Sequence, residues 1–292
     1  MIRQNRDTLY SVAIVDVGSD GVALEIPEMG DRYISVMVIN QDHCINQVFH
    51  RPGTYELTKD DFGTDYLVVA ARILSDPDSA SDLAEVHRIQ DALRLMTGTQ
   101  RDFVYRDYDG PSHQQVRDAL LVLGRTMGGL PGCFGRAEEV DPVRHLVGTA
   151  LGWGGLPDAE ASYLNVDPAR PVGRYTMTFS KVPADAFWSV SVYNAAGCFE
   201  PDDSQTTNVN SVFAAKNPDG STSIYLGDFT AETPNRIPLP EGWNLLIQRY
   251  RHGWTSSRTG TPHPSSRPDP PHSSSRRQGH DMTASRARCP VG

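Results

Sequence analysis

Two stretches far apart in the chain repeat one pattern: Tyr33-Ile34-Ser35-Val36-Met37-Val38-Ile39-Asn40 and Phe187-Trp188-Ser189-Val190-Ser191-Val192-Tyr193-Asn194. In each, apolar or aromatic residues alternate with smaller polar ones and the run stops at an asparagine, as a strand with one buried face requires. Each follows a proline-containing turn region and gives way to a short polar loop. The repetition predicts two similar β-layers built around equivalent interior strands. It bears on architecture and carries no reaction with it.

At 292 residues the chain has room for one large or two modest domains. Hydrophobic residues at 38% and charged residues at 22% are ordinary for a soluble globular protein, and 25 glycines with 21 prolines suit many turns. No apolar run reaches the length of about 18 residues that a membrane helix needs. Met1–Asp7 is polar and has no signal-peptide core, so the expected location is cytoplasmic, with the short start either native or truncated. The formal charge is −9, but the last 42 residues hold seven arginines against Asp269 and Asp281, which leaves −14 for residues 1–250. So acidic a body argues against nucleic acid or an anionic membrane as partner. Cys44, Cys133, Cys198 and Cys289 are widely spaced with no C-x-x-C pair, neither a disulfide framework nor a zinc knuckle, so reduced, buried thiols are expected.

Read in order, Leu9–Val17 is a strand, Gly18–Gly21 a turn and Val22–Ile26 its return, which together predict a hairpin. The first repeated strand follows, then short strands near Ile45–Phe49, Thr54–Leu57 and Tyr66–Leu74. Helical spacing begins after Ser79, again from Ser112 with Gln115 in a capping-box position, and again after Asp141-Pro142, an N-cap with proline at the first helical position. Strands resume at Tyr163–Val166, Gly173–Ser180, Phe187–Tyr193, Ser211–Ala214, Thr222–Leu226 and Trp243–Tyr250, with a turn at Asn217-Pro218-Asp219-Gly220. Beyond Arg251 the composition turns to Ser, Pro and Arg without periodicity, which predicts disorder. The expected fold is mainly β: two antiparallel β-sandwich, jelly-roll-like units joined by a helical connector of about three helices. The expected boundaries are 1–75 and 161–251 for the β units, 76–160 for the connector and 252–292 for the tail.

Candidate functional residues lie in the polar punctuation of this pattern. Arg6, in Asn5-Arg6-Asp7-Thr8 ahead of the first strand, could grip an anion bidentately beside Tyr10, or could pair with polar groups on the helices. His43 follows the first repeated strand and could act as a general acid or base oriented by a carboxylate, or pack in its loop. His50 is placed on the opposite strand face from His43, so the two make a poor metal pair. His145 and Asp141 share one helix face beside Arg144, and Asp141 already has work as the N-cap. Trp153, before Gly154-Gly155, is a candidate binding wall. Asn194, with Tyr193, Glu200, Asn208 and Asn210, resembles a carbohydrate-contacting surface, although Asn194 and Asn210 are equally at home as turn formers. There is no G-x-S-x-G, H-E-x-x-H, P-loop, G-x-G-x-x-G or EF-hand loop.

Three blocks, Asn5–Ser11, Arg32–His43 and Gly53–Thr58, resemble the domain of unknown function family 1254. Val182-Pro183, Phe187–Asn194, Asn217–Gly220 and Pro240–Asn244 resemble its usual companion, the domain of unknown function family 1214, and Asp141–His145 and Trp153–Gly155 suit the connection. The resemblance spans residues 3–250 and implies two sandwich-like units joined by helices, with no settled activity to carry over. Two departures stand out: relatives have a helical segment before Asn5–Thr8, and they end in a further ordered stretch where this chain has its Arg/Ser/Pro tail. The tail is expected to reflect a reading-frame change or a diverged gene end. The functional expectation is a ligand-binding or interaction module without cofactor or metal, whose partner is a small or glycan-like molecule and which could assemble with itself. The alternative is a hydrolase with a pocket between the β units, lined by Arg6, Tyr10, His43, Arg144 and His145.

Overall fold

The computed structural model describes residues 5–18, 20–98, 101–200 and 206–251. The tail expected to be disordered, 252–292, and Cys289 within it lie outside these. Six strands and a short helix come first: β1 (Thr8–Asp16), β2 (Val22–Ile26), β3 (Ile34–Asn40), β4 (Ile45–Phe49), β5 (Gly53–Leu57), α1 (Lys59–Phe62) and β6 (Tyr66–Leu74). Then come α2 (Ala80–Ala92), β7 (Arg94–Thr97), α3 (Gly110–Gly124) and α4 (Pro142–Leu151). The chain ends in strands: β8 (Ala161–Val166), β9 (Tyr175–Phe179), β10 (Phe187–Tyr193), β11 (Asn208–Asn210), β12 (Thr222–Leu226), β13 (Arg236–Ile237) and β14 (Asn244–Tyr250). The fold is mainly β with antiparallel sheets, as expected. No helix among the described residues is long and apolar enough to cross a membrane.

Among the described residues the chain divides into two compact units, Arg6–Tyr163 with Tyr250 and Arg251, and Leu164–Arg249 with Asn5. In the N-terminal unit a sheet ordered β1-β6-β3-β4 and a sheet ordered β5-β2-β7 share one core. Ile34, Val36 and Val38 of β3 and Val69, Ala71 and Ile73 of β6 meet Val22, Leu24 and Ile26 of β2, and Val86 and Ile89 of α2 belong to the same core. Burying each such side chain contributes about 1.5–3 kcal/mol. Helix α2 is tied down by Arg32, whose guanidinium grips Asp82 at 2.6 and 3.1 Å and the Leu74 carbonyl at 2.7 Å. In the C-terminal unit the sheets are ordered β11-β10-β14-β8 and β13-β12-β9. Trp188, Val190 and Val192 of β10 share a core with Met177 of β9, Ile224 and Leu226 of β12, and Leu245 and Ile247 of β14.

The repeated strands are interior and equivalent. β3 lies between β6 and β4, and β10 lies between β14 and β11. The strand ahead of each pairs in the other sheet, β2 with β5 and β9 with β12. Both strands are buried on both faces, where the sequence suggested one. Their alternate polar positions are Ser35, Ser189 and Ser191, small enough to be covered.

Several local expectations fail. β1 does not pair with β2; it pairs with β6, so the Gly18–Gly21 turn carries the chain from one sheet to the other. Helix α3 starts at Gly110, because the Asp109 carboxylate accepts from the Ser112 amide at 2.9 Å and takes the cap. Its apolar side buries nothing, and Val116 and Leu123 stay exposed. The strand placed at Ser211–Ala214 is a turn, and β11 precedes it. Elements α1, β7 and β13 are too short to carry a periodic signal. Cys44 and Cys133 are free thiols, whereas Cys198 is disulfide-bonded.

Candidate functional site

Asn40 closes β3 and organises the loop behind it. Its Oδ1 accepts from the Asp42 amide at 3.0 Å and the Cys44 amide at 2.9 Å, while the His43 amide donates to the Asn40 carbonyl at 3.0 Å. Asn194 repeats this after β10, accepting from the amides of Ala196 at 3.0 Å and Cys198 at 3.1 Å, with the Gly197 amide on its carbonyl at 2.9 Å. The fourth residue of each loop is left-handed, Gly197 at φ 77° and His43 at φ 64°. Glycine takes this conformation freely, whereas a side chain there costs about 1–2 kcal/mol. The N-terminal loop therefore carries an imidazole where its sister takes the easier residue.

Helix α4 brings the partners of that imidazole. Asp141 caps it, accepting from the amides of Val143 at 3.0 Å and Arg144 at 2.9 Å, and Pro142 opens the first turn. His145 and Thr149, four residues apart, then share a face. His43 Nδ1 lies 2.8 Å from Thr149 Oγ1, and the Gly154 amide donates to His43 Nε2 at 2.9 Å. Thr149 spends its own proton on the His145 carbonyl at 2.8 Å. The proton count closes in one way: Nδ1–H donates to Thr149, Nε2 accepts from Gly154, and the ring is neutral. Burial, reinforced by the neighbouring His145, pushes the His43 pKa from 6.5 down to about 4.

His43 is also the middle of an aromatic column. It stacks on His145 with centroids 5.4 Å apart and on Trp153 at 5.2 Å, and Phe134 meets it edge-on at 5.9 Å. The ring is buried, whereas Trp153 is 54% exposed. His145 donates from Nδ1 to the Cys133 carbonyl at 2.8 Å, and its Nε2 lies 3.3 Å from the Asp42 carbonyl.

Arg72 of β6 approaches the same loop from the sheet. It lies in register between Tyr10 on β1 and Ser35 on β3. Its Nη2 donates to the Gly154 carbonyl at 2.6 Å and its Nε to the Tyr10 hydroxyl at 3.2 Å, with the guanidinium 5.2 Å from the Tyr10 ring centre. Gly154 thus bonds His43 through its amide and Arg72 through its carbonyl. Sequence reasoning passed over Arg72, although a charge inside the apolar run Tyr66–Leu74 was the available signal.

His43, His145, Trp153 and, through Arg72, Tyr10 therefore come together in the N-terminal unit. Thr149 stands where a carboxylate was anticipated beside His43. Arg144 donates to the carbonyls of Pro131 at 2.6 Å and Gly129 at 3.1 Å, so it pins that loop. Arg6 is half-buried ahead of β1. Asn194 and Asn210 serve as turn formers, the latter accepting from the amides of Val212 and Phe213 at 3.1 Å each. His50 donates to the Ile34 carbonyl at 2.8 Å and bonds Glu160 at 2.7 Å. Among the described residues no group of three or more His, Cys, Asp or Glu is arranged to hold a metal ion.

Residues 1–97 match the family described as protein of unknown function (DUF1254), and residues 159–252 match the one described as protein of unknown function (DUF1214). No curated protein matches the chain. Its fold is similar to that of the VPA0106 protein from Vibrio parahaemolyticus, with a TM-score of 0.69, 18% identity and 85% of each chain covered. It is also similar to a putative uncharacterized protein from Burkholderia cenocepacia, with a TM-score of 0.53 and 14% identity over 91% of this chain and 77% of that one.

Proposed function

We propose that this chain, a DUF1254 segment followed by a DUF1214 segment, is a ligand-binding module whose contact surface centres on Trp153 in the N-terminal unit. The observation that carries this reading is the closed hydrogen bonding of His43. A general base needs a free lone pair, and the Gly154 amide already engages the one on His43 Nε2. What remains is a rigid stack, with His43 and His145 holding a half-exposed indole in place. A fixed aromatic face with polar neighbours suits a sugar ring or another flat, hydroxyl-bearing molecule. The same closed bonding weighs against a hydrolase reading in which His43 would move protons.

The test is a ligand screen by thermal shift and tryptophan fluorescence on the full chain and on Trp153→Ala. Trp188 and Trp243 are buried in the C-terminal unit and report its integrity independently. The expected result is a saccharide or flat-ring ligand that perturbs parent fluorescence and binds Trp153→Ala at least tenfold more weakly, a loss of about 1.4 kcal/mol. Equal affinity for both proteins would remove Trp153 from the site.

A further inference from the structure

Arg72 carries a positive charge into the N-terminal unit with no acid paired to it among the described residues. It is only 7% exposed, and none of the ion pairs among the described residues includes it. A guanidinium has five N–H donors. Those of Arg72 reach the Tyr10 hydroxyl from Nε, the Gly154 carbonyl from Nη2 and, at 3.9 Å, the Met37 sulfur from Nη1. One N–H on each Nη is left without an acceptor among the described residues. A carboxylate gripped bidentately takes two such N–H groups. A phenol, a carbonyl and a thioether do not replace the water that a buried guanidinium gives up.

The same sheet face holds two buried hydroxyls. Ser35 lies directly opposite Arg72, and Thr8 is its diagonal neighbour on β1. The Thr8 hydroxyl is buried without a partner among the described residues, and the Ser35 hydroxyl is buried against the Tyr33 phenol, its hydrogen-bonding neighbour. Native interiors leave few such groups unsatisfied. An arginine edge and two hydroxyls on one face of three adjacent strands have the chemistry of a carboxylate site.

We propose that Arg72 anchors a small organic monocarboxylate, assisted by the hydroxyls of Thr8 and Ser35. This deepens the binding reading and rests on it, giving the ligand a charged end as well as a ring. Charge favours a monoanion. Arg72 is the cation felt by Tyr33 and Tyr163, while Glu160 and Asp7 add negative charge around Tyr33 and Tyr250, so a phosphate dianion would be opposed. Gly154, bonded to Arg72, directly follows the exposed Trp153, so one short loop serves both anchor and ring platform.

Benzoate, benzamide and inorganic phosphate separate the possibilities when titrated into the full chain, with melting temperature and Trp153 fluorescence as readouts. The expected result is a saturable rise in melting temperature with benzoate, no response to phosphate, and benzamide at least tenfold weaker. Arg72→Met should abolish the preference for benzoate while keeping the parent's tryptophan spectrum. If Arg72→Met does not fold, Ser35→Ala leaves the charge in place and should weaken benzoate several-fold without changing benzamide. Benzoate and benzamide binding equally, with Trp153 perturbed by both, would overturn the Arg72 proposal and leave the ring-binding reading standing. No response to any probe would overturn both, and phosphate binding that Arg72→Met removes would overturn the carboxylate class.

Discussion

His43 combines a left-handed backbone with a ring held neutral, and each feature has a consequence in solution. Above pH 6.5 the ring is unprotonated in both the native and the unfolded chain, and its contribution to stability is complete. As pH falls from 6.5 towards about 4, the unfolded chain takes up a proton that the native ring refuses. Stability should drop across that window by up to about 3 kcal/mol, and the loss stops growing once the native ring protonates as well. His43→Asn tolerates the left-handed backbone but does not titrate. Its unfolding free energy, measured by urea titration from pH 4 to pH 7, should lose close to one proton's worth of slope relative to the parent. An unchanged slope would mean that His43 titrates normally in the folded protein.

Helix α4 sets the column because Gly148 lets it lie against Cys133. A Cβ at that position would meet Cys133 Cβ at 2.6 Å and Sγ at 2.8 Å. Alanine is the better helix former by about 1 kcal/mol. Overpacking costs about 1–3 kcal/mol, and a Cβ so close to the root of a side chain has little room to adjust. Overpacking should win: Gly148→Ala is expected to destabilise by about 1–2 kcal/mol in denaturant melts. A stabilised Gly148→Ala would show the α4 contact to be loose. This helix was legible in advance from Asp141-Pro142, and so were His43, His145 and Trp153 as residues with chemistry to offer. Their convergence was not, because a stack across more than 100 residues of chain leaves no local periodicity. The supposed β1–β2 hairpin failed for a related reason: a glycine turn that joins two strands looks the same whether they pair or part to different sheets. Arg72 was hidden by its own surroundings, one charge inside an apolar strand.

Across the whole molecule the organising fact is a duplicated plan, two cores each built around one interior strand that ends in an asparagine-stapled loop. Asn40→Ala and Asn194→Ala each strip two amides of their acceptor, at a cost of about 1–3 kcal/mol. In hydrogen exchange, Asn40→Ala should lower protection first in β3 and β6, and Asn194→Ala first in β10 and β14. Uniform loss throughout the chain with either substitution would contradict two separate cores. The repeat was visible in sequence because strand patterns survive where loops diverge, and the divergence includes the left-handed position, Gly197 in one loop and His43 in the other. On that difference rests the reading of the N-terminal unit as a binding surface with a fixed imidazole rather than a proton-moving one. The most direct test is the nitrogen-15 chemical shifts of the His43 ring in uniformly labelled full-length protein at pH 6. The expected result is a neutral ring protonated at Nδ1, with Nε2 as an accepting nitrogen. An imidazolium at pH 6, or a ring protonated at Nε2 alone, would contradict it.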